Sequence, residues 1–426
     1  NPPLFQNEFL KQEGWPIIMK RIVTVLLVLC MIIGLVPALS GCGVNHDFKA
    51  PEYYADLPDT YVEGADYQNA FFVGMGGPFI TPADGGYYFL SGNYLCFLDG
   101  ETLDAVPVCN RPDCQHNDTS CNAYFDVGWL PFIQAYEGDL FISTQTSENG
   151  EMSAELYVVD PDTCRREKIC KIPHAFGSNY WQYMLHRGYL YILYSNSGIQ
   201  YLERVMLDGV EEEPEAERIW EGRCTMPLPN NYPIGNHFIF QAFKEEDDNF
   251  DGTLFDYNLI TGEIKSISAP AEYGEGPFAY PDTMYENSIL FHMGTLEELE
   301  FKTYEGENRF YQYDLSDGSV ELFYTAKDRG DGMHSFLYSD GKHFIEKRFE
   351  FPDNEDPSIT EKQSVSLLDE NLNVIDTLVI GNPGTGNCAG DEKFSFFYDT
   401  ETGELRVLDK RSEKLSLKTV WPKADE

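Results

Sequence analysis

Basic side chains are scarce in this sequence. Its 426 residues include 30 Lys and Arg against 71 Asp and Glu, which gives a formal net charge of −41. Phosphate backbones and anionic headgroups are bound through clustered Lys and Arg that release counterions, so a chain of this charge repels them. The composition therefore excludes nucleic acid as a partner.

The sequence also lacks the short motifs of common enzyme classes. It contains no Gly-x-Ser-x-Gly elbow, no His-Glu-x-x-His pair, no phosphate-binding P-loop and no dinucleotide-binding glycine pattern. The histidines beyond residue 170 are scattered, and no catalytic pair can be chosen among them: His174, His186, His237, His292, His334 and His343. No catalytic residue is therefore assigned from the sequence.

An export signal is present near the start. Residues 19–21 read Met-Lys-Arg and residues 22–36 are almost continuously apolar, which is the order found in a secretory signal peptide. Residues 39–42, Leu-Ser-Gly-Cys, resemble a bacterial lipobox, whose cysteine receives a diacylglyceryl group and becomes the mature N-terminus. We predict a signal peptide over 19–41 and a lipid on Cys42 that anchors the protein to the outer face of the cell membrane. The alternative is an ordinary signal or membrane anchor with an incidental cysteine.

The segments on either side of this signal carry little pattern. Residues 1–18 have no targeting pattern of their own, and Gln-Glu-Gly at 12–14 can be encoded by a ribosome-binding-like run. We therefore expect translation to start at Met19 and residues 1–18 to be untranslated. Residues 42–65 are polar and contain Pro51 and Pro58, which predicts a lipidated N-terminus followed by a flexible tether.

Residues 66–426 contain an internal repeat and no long stretch with a helical apolar period. A tight turn followed by an aromatic-rich strand recurs at positions 85, 138, 188, 236, 287, 340 and 390. The steps between these positions are 53, 50, 48, 51, 53 and 50 residues. Each unit has a further strand ending near an Asp or Asn that can bond turn amides: Asp99, Asp160, Asp208, Asn258, Asp314, Asp369 and Asp409.

Seven units of this length, each with short aromatic and β-branched strands, predict an all-β chain. Four antiparallel strands per unit match a β-propeller blade better than a sandwich or an up-and-down barrel. We predict a single seven-bladed propeller over 66–426, with a six- or eight-bladed ring as the alternative. The blades resemble those of TolB-like and quinoprotein-like propellers.

The densest group of chemically active side chains lies in the link between the first two units. Cys109, Cys114, His116 and Cys121 fall within 13 residues and can supply the four ligands of a Cys₃His zinc site. Exported proteins also oxidise such cysteines, and the eight that remain after Cys42 in the mature chain permit four disulfides. Zinc, disulfides and free or redox-active thiols are the three readings of this loop.

The same segment carries a resemblance. Residues 108–124, with Cys-Asn-Arg-Pro-Asp-Cys-Gln-His followed by Cys-Asn-Ala-Tyr, look like a segment of uncharacterised propeller lipoproteins of Gram-positive gut-type bacteria. The resemblance covers these 17 residues together with the lipobox and the repeat. No activity is assigned to that family, so the resemblance implies architecture and export only.

A second group of oxygen ligands occurs in the fourth unit. Asp247, Asn249 and Asp251, followed by Gly252, fit the opening of a calcium loop. Position twelve of that loop is Asn258, where a bidentate Glu is normal. The pattern predicts calcium at these residues, and the alternative is that they form an acidic surface turn.

Two functions from different classes follow from these features. The first is a membrane-anchored extracytoplasmic binding or scaffold module for a glycan, a peptide or an envelope protein. Its motivation is the lipid anchor, the repeat scaffold and the missing catalytic motifs. Its candidate binding face carries the acidic loops predicted between the second and third strands of the blades. The alternative is a propeller-type hydrolase or lyase whose site lies in the central channel.

Overall fold

The computed structural model describes most of the chain beyond the predicted signal peptide. The described residues are 47–62, 65–66, 79–127, 132–148, 151–174, 180–223, 231–246, 249–268, 270–273, 278–294, 307–327, 334–350, 362–381, 387–398, 404–412 and 414–422. Residues 1–46, which include the predicted signal peptide and Cys42, lie outside this set.

These residues contain 28 strands, one short helix α1 (Pro51–Ala55) and one 3₁₀ turn (Ala271–Tyr273). The strands form seven four-stranded sheets, which we number blades 1 to 7. Blade 1 comprises β1 (Ile80–Ala83), β2 (Gly86–Ser91), β3 (Tyr94–Asp99) and β4 (Ala105–Pro107). Blade 2 comprises β5 (Ile133–Tyr136), β6 (Asp139–Glu148), β7 (Glu151–Asp160) and β8 (Arg165–Ile172). Blade 3 comprises β9 (Tyr180–His186), β10 (Tyr189–Asn196), β11 (Ile199–Met206) and β12 (Glu217–Arg223). Blade 4 comprises β13 (Asn231–Ile234), β14 (His237–Glu246), β15 (Asn249–Asn258) and β16 (Ile264–Ile267). Blade 5 comprises β17 (Phe278–Tyr285), β18 (Ser288–Gly294), β19 (Glu307–Asp314) and β20 (Val320–Lys327). Blade 6 comprises β21 (His334–Ser339), β22 (Phe344–Glu350), β23 (Lys362–Leu368) and β24 (Val374–Gly381). Blade 7 comprises β25 (Asn387–Gly390), β26 (Phe394–Tyr398), β27 (Leu405–Asp409) and β28 (Ser416–Trp421).

The strands of each blade pair in chain order and antiparallel, so every blade is one continuous meander. First strands of neighbouring blades contact one another, as β1 and β5, β5 and β9, and β17 and β21 do, which makes the first strand the innermost. The predicted seven-bladed propeller is confirmed. The repeat detected in the sequence begins at the turn between first and second strands, so its aromatic strand is the second strand of each blade.

The predicted structural role is found at six of the seven repeated Asp and Asn residues, which accept hydrogen bonds from turn amides: Asp99, Asp160, Asn258, Asp314, Asp369 and Asp409. Asp99 Oδ1 accepts from the backbone amides of Glu101 and Thr102 at 2.9 and 2.8 Å. Asn258 Oδ1 likewise accepts from the amides of the two residues at 260 and 261 at 3.0 and 2.9 Å. These bonds satisfy backbone donors in the turn between third and fourth strands.

The apolar core lies between successive blades. Aromatic residues of the second strands pack between neighbouring blades. Tyr191 stacks on Phe238 of the next blade, with ring centroids 4.7 Å apart. Phe79 stacks on Tyr398 at 5.5 Å where blade 7 meets blade 1. Large flat side chains bury much area for little lost conformational freedom, which explains why aromatics recur at these positions.

Polar side chains also join the blades. Gln134 of β5 donates from Nε2 to the carbonyl of Leu185 at 2.7 Å and accepts from the amide of Leu185 at 2.9 Å. The buried ammonium of Lys410 in blade 7 contacts the buried carboxylate of Asp340 in blade 6. Indole Nε1 of Trp421 donates to Ser91 Oγ at 2.7 Å and helps to join blade 7 to blade 1.

The segment that precedes the propeller is in contact with it. The sequence predicted a flexible tether over 42–65, whereas Tyr54 of α1 is 2% exposed and its hydroxyl lies 3.1 Å from that of Tyr136. The same hydroxyl donates to Glu137 at the β5–β6 turn. An aromatic ring removed from water holds the described part of this segment against the first-to-second-strand turns. Within the described residues, no helix is long and apolar enough to span a membrane.

A buried arginine continues this attachment. Arg187, at the β9–β10 turn, donates to both carboxylate oxygens of Asp66, from Nε at 2.6 Å and from Nη2 at 2.9 Å. It also donates to Asn236 Oδ1 at 2.6 Å and to the carbonyls of Pro58 and Thr60 at 3.2 Å. The guanidinium therefore bonds to the segment before the propeller and to two of its blades, in the bidentate geometry that favours Arg over Lys.

Candidate metal centre

The link between β4 and β5 brings four metal-ligating side chains together. Cys109, Cys114, His116 and Cys121, which we call the Cys-His cluster, each offer one ligand atom, and these atoms all lie within 4.8 Å of one another. Cys121 is buried at 1% exposure, and the other three are partly exposed. The structure thus gathers all four residues that the sequence proposed for this loop.

The residue that carries the imidazole of the cluster has a left-handed backbone conformation. His116 has φ +54°, and its Nδ1 lies 3.4 Å from the sulfur of Cys121. Left-handed backbone costs an L-residue about 1–2 kcal/mol, so the contacts of the side chain must offset that cost. The turn aims the ring at the three sulfur atoms.

The surroundings of the cluster shift the pKa values of two of its thiols in opposite directions. Partial burial disfavours the thiolate of Cys109, but the amides of Arg111 and Asn122 donate to its sulfur, and the balance lowers its pKa. Hydrogen bonds with the thiols of Cys121 and Cys114 also lower the pKa of Cys109. Burial raises the pKa of Cys121 to about 12, with a further contribution from the other two cysteines. The thiolate form is therefore favoured more at Cys109 than at Cys121.

Hydrogen bonds inside the loop fix its shape. The guanidinium of Arg111 donates to the Ser120 carbonyl at 2.7 Å, across the cluster from one end to the other. Asp118 Oδ1 accepts from the amide and hydroxyl of Ser120 at 2.8 and 2.6 Å. Asn122 donates to the side chain of Asn110 at 2.6 Å. These bonds join residues that neighbour the four ligand residues in the chain, so they fix the course of the loop around the cluster.

The six described cysteines are all unpaired, so the structure contains no disulfide among them. Cys96 and Cys170 are buried within strands, and burial raises the pKa of Cys170 to about 12. Cys224 and the side chain of Cys388 lie outside the described residues. The four-disulfide reading of the sequence has no counterpart in the part of the chain that is described.

The calcium prediction falls mostly beyond the described side chains. Asp247 is not among the described residues, and Asn249 and Asp251 are described only as backbone of β15. Asp251 pairs with Lys244, and Gly252 pairs with Phe243, in the antiparallel ladder of β14 and β15. An extended ladder does not provide the sharp turn at Gly252 that the calcium-loop pattern requires.

Several histidines left unassigned by the sequence pair with buried carboxylates. His292 Nδ1 lies 2.6 Å from Asp282 Oδ2, and His237 Nδ1 lies 2.7 Å from Asp256 Oδ1. Burial raises the pKa of Asp282 against the opposing effect of His292. The two pairs lie in different blades, and each joins neighbouring strands of its own blade. Sequence order hides them, because the partners are 10 and 19 residues apart.

Comparison with known proteins gives a fold-level likeness only. No family model and no curated protein matches this sequence. A solved prolyl endopeptidase shares 13% identity over 87% of this chain and 52% of its own, with a TM-score of 0.46. The β-propeller domain of the Trilobed protease from Pyrococcus furiosus shares 12% over 82% of this chain and 95% of its own, with a TM-score of 0.45. Dipeptidyl peptidase 4 from Porphyromonas gingivalis shares 9% over 87% and 61%, with a TM-score of 0.39. The chain spans about half the length of the prolyl endopeptidase. Likeness at this level carries no argument about activity.

Proposed function

We propose that this protein is a lipid-anchored extracytoplasmic propeller that binds a glycan, a peptide or an envelope protein. In this proposal the lipid is on Cys42, and the propeller is held at the outer face of the cell membrane. The ligand is bound by the connections at the ends of the blades remote from the N-terminal segment. The protein acts by binding and by positioning its ligand near the membrane.

The observation that carries this proposal is the attachment of the N-terminal segment to one face. Tyr54 and Asp66 contact the turns between first and second strands at Glu137 and Arg187. Five positions separate Cys42 from Asp47, the first described residue, and five extended residues reach at most about 18 Å. A lipid on Cys42 would therefore keep these turns close to the membrane surface.

The opposite ends of the strands carry the connections suited to binding. The second-to-third-strand connections lie there, and in blades 2 and 4 they are hairpins whose two strands have ten residues each. Loops supported by a rigid scaffold are where binding residues concentrate. Acidic residues in these connections favour a ligand that carries cationic or hydrogen-bond-donating groups.

The anchor is tested by replacing its cysteine. We expect Cys42→Ala to abolish incorporation of radiolabelled palmitate and to leave a precursor that retains residues 19–41, because the lipid is the prerequisite for cleavage. Metabolic labelling followed by N-terminal sequencing measures both effects. The matched control is Cys30→Ala within the apolar stretch, which should be labelled and processed normally. Palmitate incorporation by Cys42→Ala equal to that of the natural sequence would disprove the anchor.

The binding role is tested with isolated cell envelopes. We expect the unlipidated protein, residues 43–426, to sediment with them, and less so after Glu245→Gln and Glu246→Gln at the remote end of β14. The control pair is Glu263→Gln and Glu392→Gln, which are 59% and 58% exposed at the other strand ends and should have no effect. Sedimentation with protease-stripped envelopes indicates a glycan, and sedimentation only with untreated envelopes indicates a protein. Absence from both pellets would contradict the proposal.

The hydrolase or lyase alternative predicted from the sequence needs a cluster of acids and histidines at the central channel. In the described part of the chain, the one group of His, Cys, Asp or Glu close enough to hold a metal is the Cys-His cluster. That cluster lies in the link between blades 1 and 2. This metal-ligating group therefore gives no support to an enzymatic site in the central channel.

A further inference from the structure

Independently of the binding role, we propose that the Cys-His cluster binds one zinc ion, which holds the link between blades 1 and 2 in its folded form. The metal is structural: four protein ligands complete its coordination, and no position is left for water or substrate.

The spacing of the ligand atoms supports this assignment. Zinc takes sulfur at about 2.3 Å and nitrogen at about 2.0–2.1 Å in a tetrahedron, so two sulfurs lie about 3.8 Å apart and sulfur and nitrogen roughly 3.6 Å apart. The four atoms of the cluster lie within 4.8 Å of one another, and Nδ1 of His116 is 3.4 Å from the sulfur of Cys121. A small contraction around an ion brings all four into this geometry.

The chemistry of the ligands selects the ion. Thiolates and imidazole are soft or borderline donors that suit zinc, whereas calcium and magnesium require oxygen. A hydrogen bond between His116 and Cys121 would explain one close separation but not the convergence of three sulfur atoms. One disulfide within the loop would also leave a third cysteine and the imidazole without a role.

The position of the loop explains what an ion would do. The described part of the link, residues 108–127 and 132, contains no strand or helix, and loops of that length need internal support. The C-terminal part of the link pairs with blade 1, where the amide of Leu95 donates to the carbonyl of Ala123 at 2.9 Å. The N-terminal part of the link contacts blade 2, where Asn110 Nδ2 donates to the carbonyl of Thr163 at 2.9 Å.

An ion bound by the cluster connects these two parts. Cys109 lies next to the contact with blade 2, and Cys121 lies two residues before the contact with blade 1. Metal bonds from the ion to Cys109 and Cys121 limit the conformations of the unfolded loop and hold blades 1 and 2 at a fixed distance from each other. The ion therefore supports residues 109–121, of which only Cys121 is buried.

The test is the metal content of the full lipidated protein, purified in detergent with reductant and without chelator. We expect about one zinc per chain, and at least a tenfold loss of bound zinc in Cys114→Ser. Cys164→Ser is the matched control, because Cys164 lies beside the loop, with its sulfur 3.6 Å from the Val108 carbonyl, but contributes no ligand atom. The control should retain its zinc.

A second measurement avoids dependence on a variant that fails to fold. Replacing the ion of the unaltered protein with Co²⁺ should give the intense visible bands of a tetrahedral thiolate site, and chelation should abolish them. Chelation should also speed amide hydrogen exchange in residues 109–125, with no change at the β9–β10 turn. Absence of zinc with all thiols free, iron in place of zinc, or an intact mass lowered by two hydrogens per disulfide would each overturn the proposal.

Discussion

Arg187→Met should lower the free energy of unfolding by about 3–5 kcal/mol, because it leaves a buried carboxylate without its partner. The side chains of Arg187 and Asp66 are 2% and 0% exposed, and the guanidinium bonds to both carboxylate oxygens. Met keeps most of the apolar stem, so the loss reports the charge and the hydrogen bonds to Asn236, Pro58 and Thr60 rather than a cavity. Urea unfolding monitored by tryptophan fluorescence measures the change.

Two further variants show whether the mechanism is right. Arg187→Met combined with Asp66→Asn removes the unpaired charge and should recover part of the lost stability. Arg406→Met is the matched surface control, since Arg406 pairs with Glu404 at 2.7 Å while both are partly exposed, and it should change stability by less than about 1 kcal/mol. If Arg187→Met and Arg406→Met unfold at the same urea concentration, the buried pair contributes no more to stability than the surface pair.

Acid should destabilise the same region through His186. This side chain is fully buried, and burial lowers its pKa to about 4, against the opposing attraction of Asp66. Its Nε2 donates to the carbonyl of Gly235 at 2.9 Å, which fixes the neutral tautomer. An unfolded histidine titrates at about 6.5, so between pH 6.5 and 4 the unfolded state binds more protons and folding loses free energy as the pH falls.

The expected loss across that interval is about 3 kcal/mol, and the contribution is fully present above pH 6.5. His186→Gln keeps a donor for the Gly235 carbonyl but does not titrate, so its stability should fall less steeply between pH 6.5 and 4. Urea midpoints measured for both proteins across this range give the difference. Parallel pH profiles would show that His186 does not govern the acid response.

The number of blades could be predicted from the sequence because each blade repeats the same local chemistry. A turn, an aromatic strand and an Asp or Asn at the third strand recur about every 50 residues, and the structure places them at equivalent positions. The innermost strands were missed. In blades 1, 2, 4 and 7 they have only four residues, too few to show an apolar alternation.

The candidate site was predictable in part for a similar reason. All members of the Cys-His cluster fall within 13 residues, so proximity in sequence already indicated proximity in space. The attachment of the N-terminal segment was not predictable. Its decisive contact joins Asp66 to Arg187 over 121 residues, and neither residue stands out in its own stretch of sequence. Long-range pairing of this kind needs coordinates.

The continuous meander of each blade has a consequence for how the chain folds. In the described part, all four strands of blade 7 come from its own stretch of the sequence, and none is supplied by the N-terminal segment. A blade can therefore assemble from about 50 consecutive residues, with short loops to close, before the rest of the chain has been synthesised. Contacts between the first and last blades, such as Trp421 with Ser91, form only when the whole chain is present. The ring can therefore grow blade by blade in the direction of synthesis, and it closes last.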